Sequence, residues 1–110
     1  MMRLAISPAA AGLYRALVSR SGLEKNRVLL SSCRSTDWQS LTFIGERHRI
    51  VIRLAGESAD DGYRRIADGL ADAELAIPGH IVADIVEVGV ALPSPDGSID
   101  IEIEALTIES

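Results

Sequence analysis

One cysteine, an aspartate and a histidine are the side chains of this sequence whose types suit covalent catalysis. Cys33 would serve as a thiol nucleophile, His48 as its base and Asp37 as the acid that orients the histidine. The spacing does not support this interpretation, because no motif surrounds Cys33 and His48 falls on a strand face that we expect to meet the core. A lone cysteine in a small domain is more often a buried apolar residue. We therefore expect no catalytic residues and favour a protein that is not an enzyme.

A second pair of residues has the chemistry of metal ligands. His80 and Asp84 would share one face of a predicted strand and point at the same ion. Two ligands are fewer than the usual number of about three or four that proteins supply to zinc. Asp84 also interrupts a run of valines, so we expect it to lie near a sheet edge or to be paired. The sequence predicts no metal site and no cofactor.

Arginines and the single tryptophan are the residues that would bind an anion. Arg47, Arg49 and Arg53 fall within one short strand, and guanidinium groups suit phosphate and carboxylate partners. Trp38 would add a stacking surface. Arg34 lies in a serine-rich run that has hydroxyls for an anion but lacks the glycines of a phosphate loop. These five residues form the candidate ligand-binding set.

A hairpin prediction places most of that set on one surface. Gly45-Glu46 suits a two-residue turn between strands 38–44 and 47–54. In that register Trp38 lies opposite Arg53, where the indole ring would accept the cation. Alternation then gives one face to the core and one to solvent. The predicted core face holds Leu41, Phe43, His48, Ile50, Ile52 and Leu54, and the outer face holds Trp38, Ser40, Thr42, Arg47, Arg49 and Arg53.

The last strand offers a structural explanation for the same arginines. Ile99, Ile101 and Ile103 alternate with three acidic residues, which predicts an apolar inner face and an acidic outer face. If this strand lies beside the arginine strand, in one subunit or across a dimer, the charges pair between strands. We favour this structural pairing over a ligand site.

Helices and strands alternate along the chain in an order that predicts an α+β fold. Ser7-Pro8 begins one helix, which ends before Gly22, and Ser58 begins a second, which continues through Leu75. Strand patterns begin at Val28 and also cover 38–44, 47–54, 80–92 and the segment after a turn at 93–97. The predicted order is α-β-β-β-α-β-β, with both amphipathic helices on one face of a roughly five-stranded, mainly antiparallel sheet.

Length and charge limit the classes of function. The chain has 110 residues, the size of one domain, and we treat 1–110 as a single α+β domain. Its 16 acidic and 11 basic residues give a formal net charge of -5, which disfavours nucleic-acid binding. We expect no membrane association, because no apolar segment is long enough to span a bilayer. The single cysteine excludes an internal disulfide, so we expect a cytoplasmic location.

Two functions remain open at this stage. Strand 80–92 is apolar on both faces, whereas two helices cover only one face, so part of the outer face should bind a partner. This favours a small bacterial-type interaction or regulatory module that self-associates through its sheet as a homodimer and has room for a further protein partner. The alternative is a small-molecule or anion-binding protein, or an enzyme, that uses Trp38, Arg49 and Arg53 on the open face.

Overall fold

The computed structural model describes residues 6–110 and confirms the α+β class. It contains four strands rather than five, because the segments expected to form the first two strands are one continuous strand. Short 3-10 turns cover Lys25–Arg27 and Leu70–Asp72. The helices and strands, in chain order, are α1 (Pro8–Ser21), β1 (Val28–Gln39), β2 (Ile44–Leu54), α2 (Ala59–Ala67), β3 (His80–Glu87) and β4 (Ile99–Glu109).

Helix α1 has the bounds that its capping residues predict. The Ser7 hydroxyl accepts a hydrogen bond from the Ala10 N–H at 3.1 Å, and Pro8 begins the first turn. Gly22 ends the helix at φ 70°, a left-handed conformation that glycine adopts without strain. Leu13 and Leu17 are fully buried against the sheet.

Helix α2 is shorter than the sequence predicts. It ends at Ala67, and Gly69 adopts φ 66°, which breaks the helical path before the expected Leu75. The prediction was wrong because Leu70, which is buried, and Leu75, which is partly buried, pack on the core from a 3-10 turn and a non-helical segment after the helix. Their spacing nevertheless suits a helical stripe. Ile66 still points into the core.

The sheet is antiparallel throughout, with strand order β1-β2-β4-β3. Both helices pack on one face, which we call the inner face, and the opposite face, which neither helix covers, is the outer face. The inner face supplies the fully buried Ile50, Ile52, Leu54, Ile101 and Ile103. The predicted inward direction of β2 and β4 is therefore confirmed.

The hairpin between β1 and β2 turns earlier than predicted. Gln39 pairs with Ile44, and the loop is 40–43, so the turn at Gly45-Glu46 was wrong. The Ser40 N–H donates to the Phe43 carbonyl at 2.9 Å, and the Phe43 N–H donates to the Ser40 hydroxyl at 3.2 Å. This closure places Leu41 and Phe43 in solvent, with relative exposures of 104% and 52%, rather than in the core. Trp38 consequently lies opposite Gly45 and not opposite Arg53.

Strand β3 carries a bulge that the sequence did not reveal. The register shifts between Val82 and Asp84, so Ala83 is the extra residue. Even-numbered residues point to the inner face before Ala83 and to the outer face after it. Asp84 therefore points to the outer face of an edge strand, which explains how a carboxylate is accommodated among valines. The strand ends at Glu87 instead of Leu92, and the chain leaves the sheet near Gly89, which has φ 71°.

Candidate functional site

The outer face of the sheet holds all five residues of the candidate ligand-binding set. The strand register places Arg34 opposite Arg49 and Thr36 opposite Arg47, with Trp38 at one end of the face. Arg34, Arg47 and Arg49 surround a shallow depression of about 260 Å³, together with Thr36 and Glu104. Arg53 lies farther along β2, beside Asp100 and opposite Leu29. The structure thus gathers three of the five residues and separates the other two from them.

Arg49 and Arg53 are paired with acidic residues of β4 within the same chain. Arg49 contacts Glu102 at 2.9 Å and Glu104 at 3.2 Å. Arg53 binds both carboxylate oxygens of Asp100, at 2.9 and 3.2 Å, and this hydrogen-bonded contact lowers the pKa of the Asp100 carboxyl. The structural explanation favoured from the sequence is therefore confirmed for these two arginines. They are not free to bind a ligand without breaking an ion pair.

Arg34 and Arg47 differ from those two arginines. Within residues 6–110 neither forms an ion pair, and Arg34 lies directly opposite the like-charged Arg49. Like charges at opposed positions destabilise a sheet unless an anion compensates them. Asp84 on β3 likewise forms no ion pair within that range. The outer face therefore has uncompensated positive charge over β1 and β2 and uncompensated negative charge on β3.

Apolar side chains occupy both ends of the outer face. At one end Trp38, Gly45, Ile108 and Ile81 form a row across the four strands, and Ile81 is 57% exposed. Gly45 is required there, since a Cβ atom would lie 2.0 Å from the Thr107 carbonyl oxygen. At the other end a depression of about 250 Å³ is lined by Val51, Val88, Val90, Ala91, Leu92, Asp100 and Glu102. Val90 and Leu92 are 80% and 76% exposed.

The catalytic set considered from the sequence is not assembled. His48 is buried on the inner face, where its Nδ1 is 2.7 Å from the Ser35 hydroxyl and its Nε2 is 2.8 Å from the Thr107 hydroxyl. Both ring nitrogens are thus occupied by neighbours other than Asp37 or Cys33. Burial lowers the pKa of His48 and raises the pKa of the Cys33 thiol, which makes Cys33 a weaker nucleophile at neutral pH.

Ser35 and Thr107 are polar partners that the sequence analysis missed. Ser35 lies directly opposite His48 on β1, whereas Thr107 lies diagonally from it on β4, two residues beyond the opposed Ala105. The alternation of β4 already places Thr107 on the same face as Ile103, so the inward direction of this hydroxyl was readable from the sequence. The pairing of Ser35 with His48 was not, because it depends on the position of the hairpin turn.

His80 and Asp84 cannot bind one metal ion together. The bulge at Ala83 puts His80 on the inner face and Asp84 on the outer face, so the predicted shared face was wrong. The His80 ring Nδ1 instead lies 3.1 Å from the Pro78 carbonyl. Across residues 6–110, no three or more His, Cys, Asp or Glu side chains form a group that could hold a metal. No helix in the same range is long and apolar enough to cross a membrane.

Comparisons with known proteins identify a similar fold but no family. No protein-family model and no curated protein matches the chain. The chain is similar to a chain in the solved structure of the virion of a native gene transfer agent (GTA) particle, with a TM-score of 0.64 and 15% sequence identity. The similarity covers 91% of this chain and 97% of the other. At this identity the likeness shows a shared fold.

Proposed function

We propose that this chain is a non-catalytic structural module that assembles with other protein subunits, including copies of itself, through the outer face of its sheet. The observation that carries the proposal is the one-sided cover of the sheet. Both helices pack on the inner face, while the outer face exposes apolar residues at both ends and charged residues between them. Exposed apolar patches rimmed by polar residues are typical of protein interfaces.

The similar chain supports the same class of function. It belongs to the virion of a gene transfer agent particle. A structural subunit needs complementary surfaces and needs no reactive centre. In the described part of this chain, both ring nitrogens of His48 have hydrogen-bond partners, and burial raises the pKa of the Cys33 thiol.

Molecular mass in solution tests self-association. We expect light scattering at micromolar concentration to give about twice the chain mass of 11.8 kDa. Burial of apolar surface supplies the driving force, at about 25 cal/mol for each Å² removed from water. Replacing Trp38→Ser and Ile81→Ser together should shift the mass to that of one chain, since both lie on the outer face.

A matched control separates the outer face from exposed apolar surface in general. Leu41→Ser removes a fully exposed apolar side chain from the hairpin loop, outside the four strands, and should leave the mass unchanged. A wild-type mass of one chain across the whole concentration range would contradict self-association.

Anion binding at Arg34 and Arg47 is a second candidate function. Its support is specific: among residues 6–110 these two arginines have no acidic partner, and they border the same depression. Trp38 lies beyond Thr36 on the same strand face. Titration with inorganic phosphate, followed by NMR, should shift the Arg34 and Arg47 side-chain signals and leave those of the paired Arg53 in place. Equal shifts at all three arginines would indicate non-specific ion binding and reject the site.

A further inference from the structure

We infer that a second copy of this chain covers the outer face by a two-fold axis parallel to the strands, so that β1 of each copy lies over β3 of the other. The inference rests on the proposed self-association and adds its geometry. It follows from the order of charges and apolar residues across the four strands.

The register arranges the outer face in rows that cross β1, β2, β4 and β3 in that order. One row is apolar, and the next two run from positive or neutral residues on β1 and β2 to acidic or apolar residues on β4 and β3. Positive charge is thus confined to one half of the face and negative charge to the other. The three rows are Trp38, Gly45, Ile108, Ile81; then Thr36, Arg47, Leu106, Asp84; then Arg34, Arg49, Glu104, Val86.

Two copies can pack face to face about a two-fold axis that lies between the sheets and runs either perpendicular or parallel to the strands. An axis perpendicular to the strands places each strand over itself, so Arg47 would face Arg49 of the partner subunit. An axis parallel to the strands places β1 over β3 and β2 over β4, so each positive half faces a negative half. Like charges opposed at an interface disfavour association, whereas opposite charges favour it. The charge order therefore selects the parallel axis.

The selected arrangement also matches individual positions. Arg47 and Arg34, which form no ion pair in their own chain within residues 6–110, come within reach of Asp84 of the partner subunit, which equally forms none. Trp38 lies over Ile81 of the partner subunit. Ile108 of the partner subunit lies over Gly45, which presents no side chain on this face.

The ion pairs at the centre of the face do not oppose this packing. Desolvating a charge is costly when it loses its partner. Arg49 is already bound to Glu102 and Glu104, and the partner subunit's Glu104 would lie above it, so the guanidinium keeps its hydrogen bonds. Sheets that pack face to face usually keep their strands within about 30° of each other, which this axis permits.

Edge-to-edge pairing of β1 with β3 of a neighbour would also bring opposite charges together. The bulge at Ala83 interrupts the β3 edge, and bulges disfavour such pairing. Edge pairing would also leave Ile81 and Trp38 exposed on the outer face. The observations favour the face.

Cysteine cross-linking tests the geometry directly. In a Cys33→Ser background, copies with Trp38→Cys are mixed with copies that carry Ile81→Cys and oxidised. We expect a covalent dimer from the mixture, because the inferred axis stacks these two positions. Neither variant alone should cross-link, since neither position faces itself. Leu41→Cys mixed with Ile81→Cys is the matched control and should remain uncross-linked.

Charge exchange gives an independent readout. Asp84→Arg should weaken the wild-type dimer by about tenfold or more, because it opposes Arg34 and Arg47 of the partner subunit. Combining it with Arg34→Glu and Arg47→Glu should restore most of the affinity. A dimeric mass without the mixed cross-link or without this rescue would overturn the axis and leave the proposed function standing. A mass of three or more chains would overturn the inferred axis in favour of edge pairing. A persistent monomer would overturn both the inferred axis and the proposed self-association.

Discussion

His48 has a side chain of a type suited to catalysis, but its contacts give it a structural role. Its ring lies between the hydroxyls of Ser35 and Thr107, and its side chain is among the most fully buried of the described residues. A base needs a nitrogen that is free to take a proton from a reacting group. Here both nitrogens already have partners, so the histidine joins β1, β2 and β4 through their side chains.

The burial of His48 predicts a pH dependence of stability. Burial lowers the pKa of His48 from its ordinary value of 6.5, so the unfolded chain binds a proton more readily than the folded one below that pH. The free energy of unfolding should therefore be fully retained above about pH 6.5 and decrease as the pH falls below it. Chemical denaturation of wild type and His48→Gln at pH 7.5 and 5.5 measures this contribution.

His80→Gln is the matched control, because His80 is partly exposed and its charge is a smaller cause of the lowered His48 pKa than burial is. It should keep the wild-type difference between the two pH values, whereas His48→Gln should reduce it. If both variants keep the full difference, the carboxyl groups rather than His48 produce it.

At the level of elements, Gly45 has a different role from the one predicted. It suggested a turn because glycine favours tight hairpin connections. In the structure it lies within β2, and it is needed because the Thr107 backbone of β4 leaves no room for a Cβ atom. The turn is instead closed by Ser40 and Phe43, whose backbone and hydroxyl groups bond to each other.

The burial of residues along β2 predicts how much stability is lost when its isoleucines are truncated. Ile52 is fully buried, so Ile52→Ala should lower the free energy of unfolding by about 2–5 kcal/mol. Ile44→Ala, in the same strand at a residue that is 59% exposed, should cost much less. Denaturant unfolding of both variants measures the difference. Equal losses would contradict the difference in burial between Ile52 and Ile44.

For the whole molecule, the main asymmetry is between the sheet face that the helices cover and the opposite face, which they leave uncovered. Helices α1 and α2 pack on the inner face, and the outer face has opposite charges on its two halves. A net charge of -5 alone would suggest repulsion between copies. The separation of charge across the sheet allows copies to attract each other in one orientation.

Salt should therefore weaken self-association. Screening shortens the range of electrostatic attraction from about 10 Å at 0.1 M salt to about 3 Å at 1 M. We expect sedimentation equilibrium to show a larger dissociation constant at 0.5 M than at 0.05 M sodium chloride. Arg34→Gln with Arg47→Gln should reduce this salt dependence. Tighter association at high salt would indicate a purely apolar contact and contradict the role of these arginines.

Features that depend on neighbours along the chain could be predicted from the amino-acid sequence. The caps at Ser7 and Gly22 define α1, and the two-residue period of β2 and β4 sets which side chains point inward. These signals are local, because a cap bonds within one helical turn and alternation is a property of the strand backbone.

Features that join distant segments could not be predicted in this way and follow from the folded structure. The bulges after Leu30 and Val82, the loop at 40–43 and the placement of β4 beside β2 all depend on which strand supplies the neighbouring hydrogen bonds. One extra residue reverses the face of every side chain beyond it, which is why His80 and Asp84 were assigned together wrongly. The pairing of Arg49 and Arg53 with acids some fifty residues away, and the isolation of Arg34 and Arg47 within residues 6–110, follow from that same non-local register.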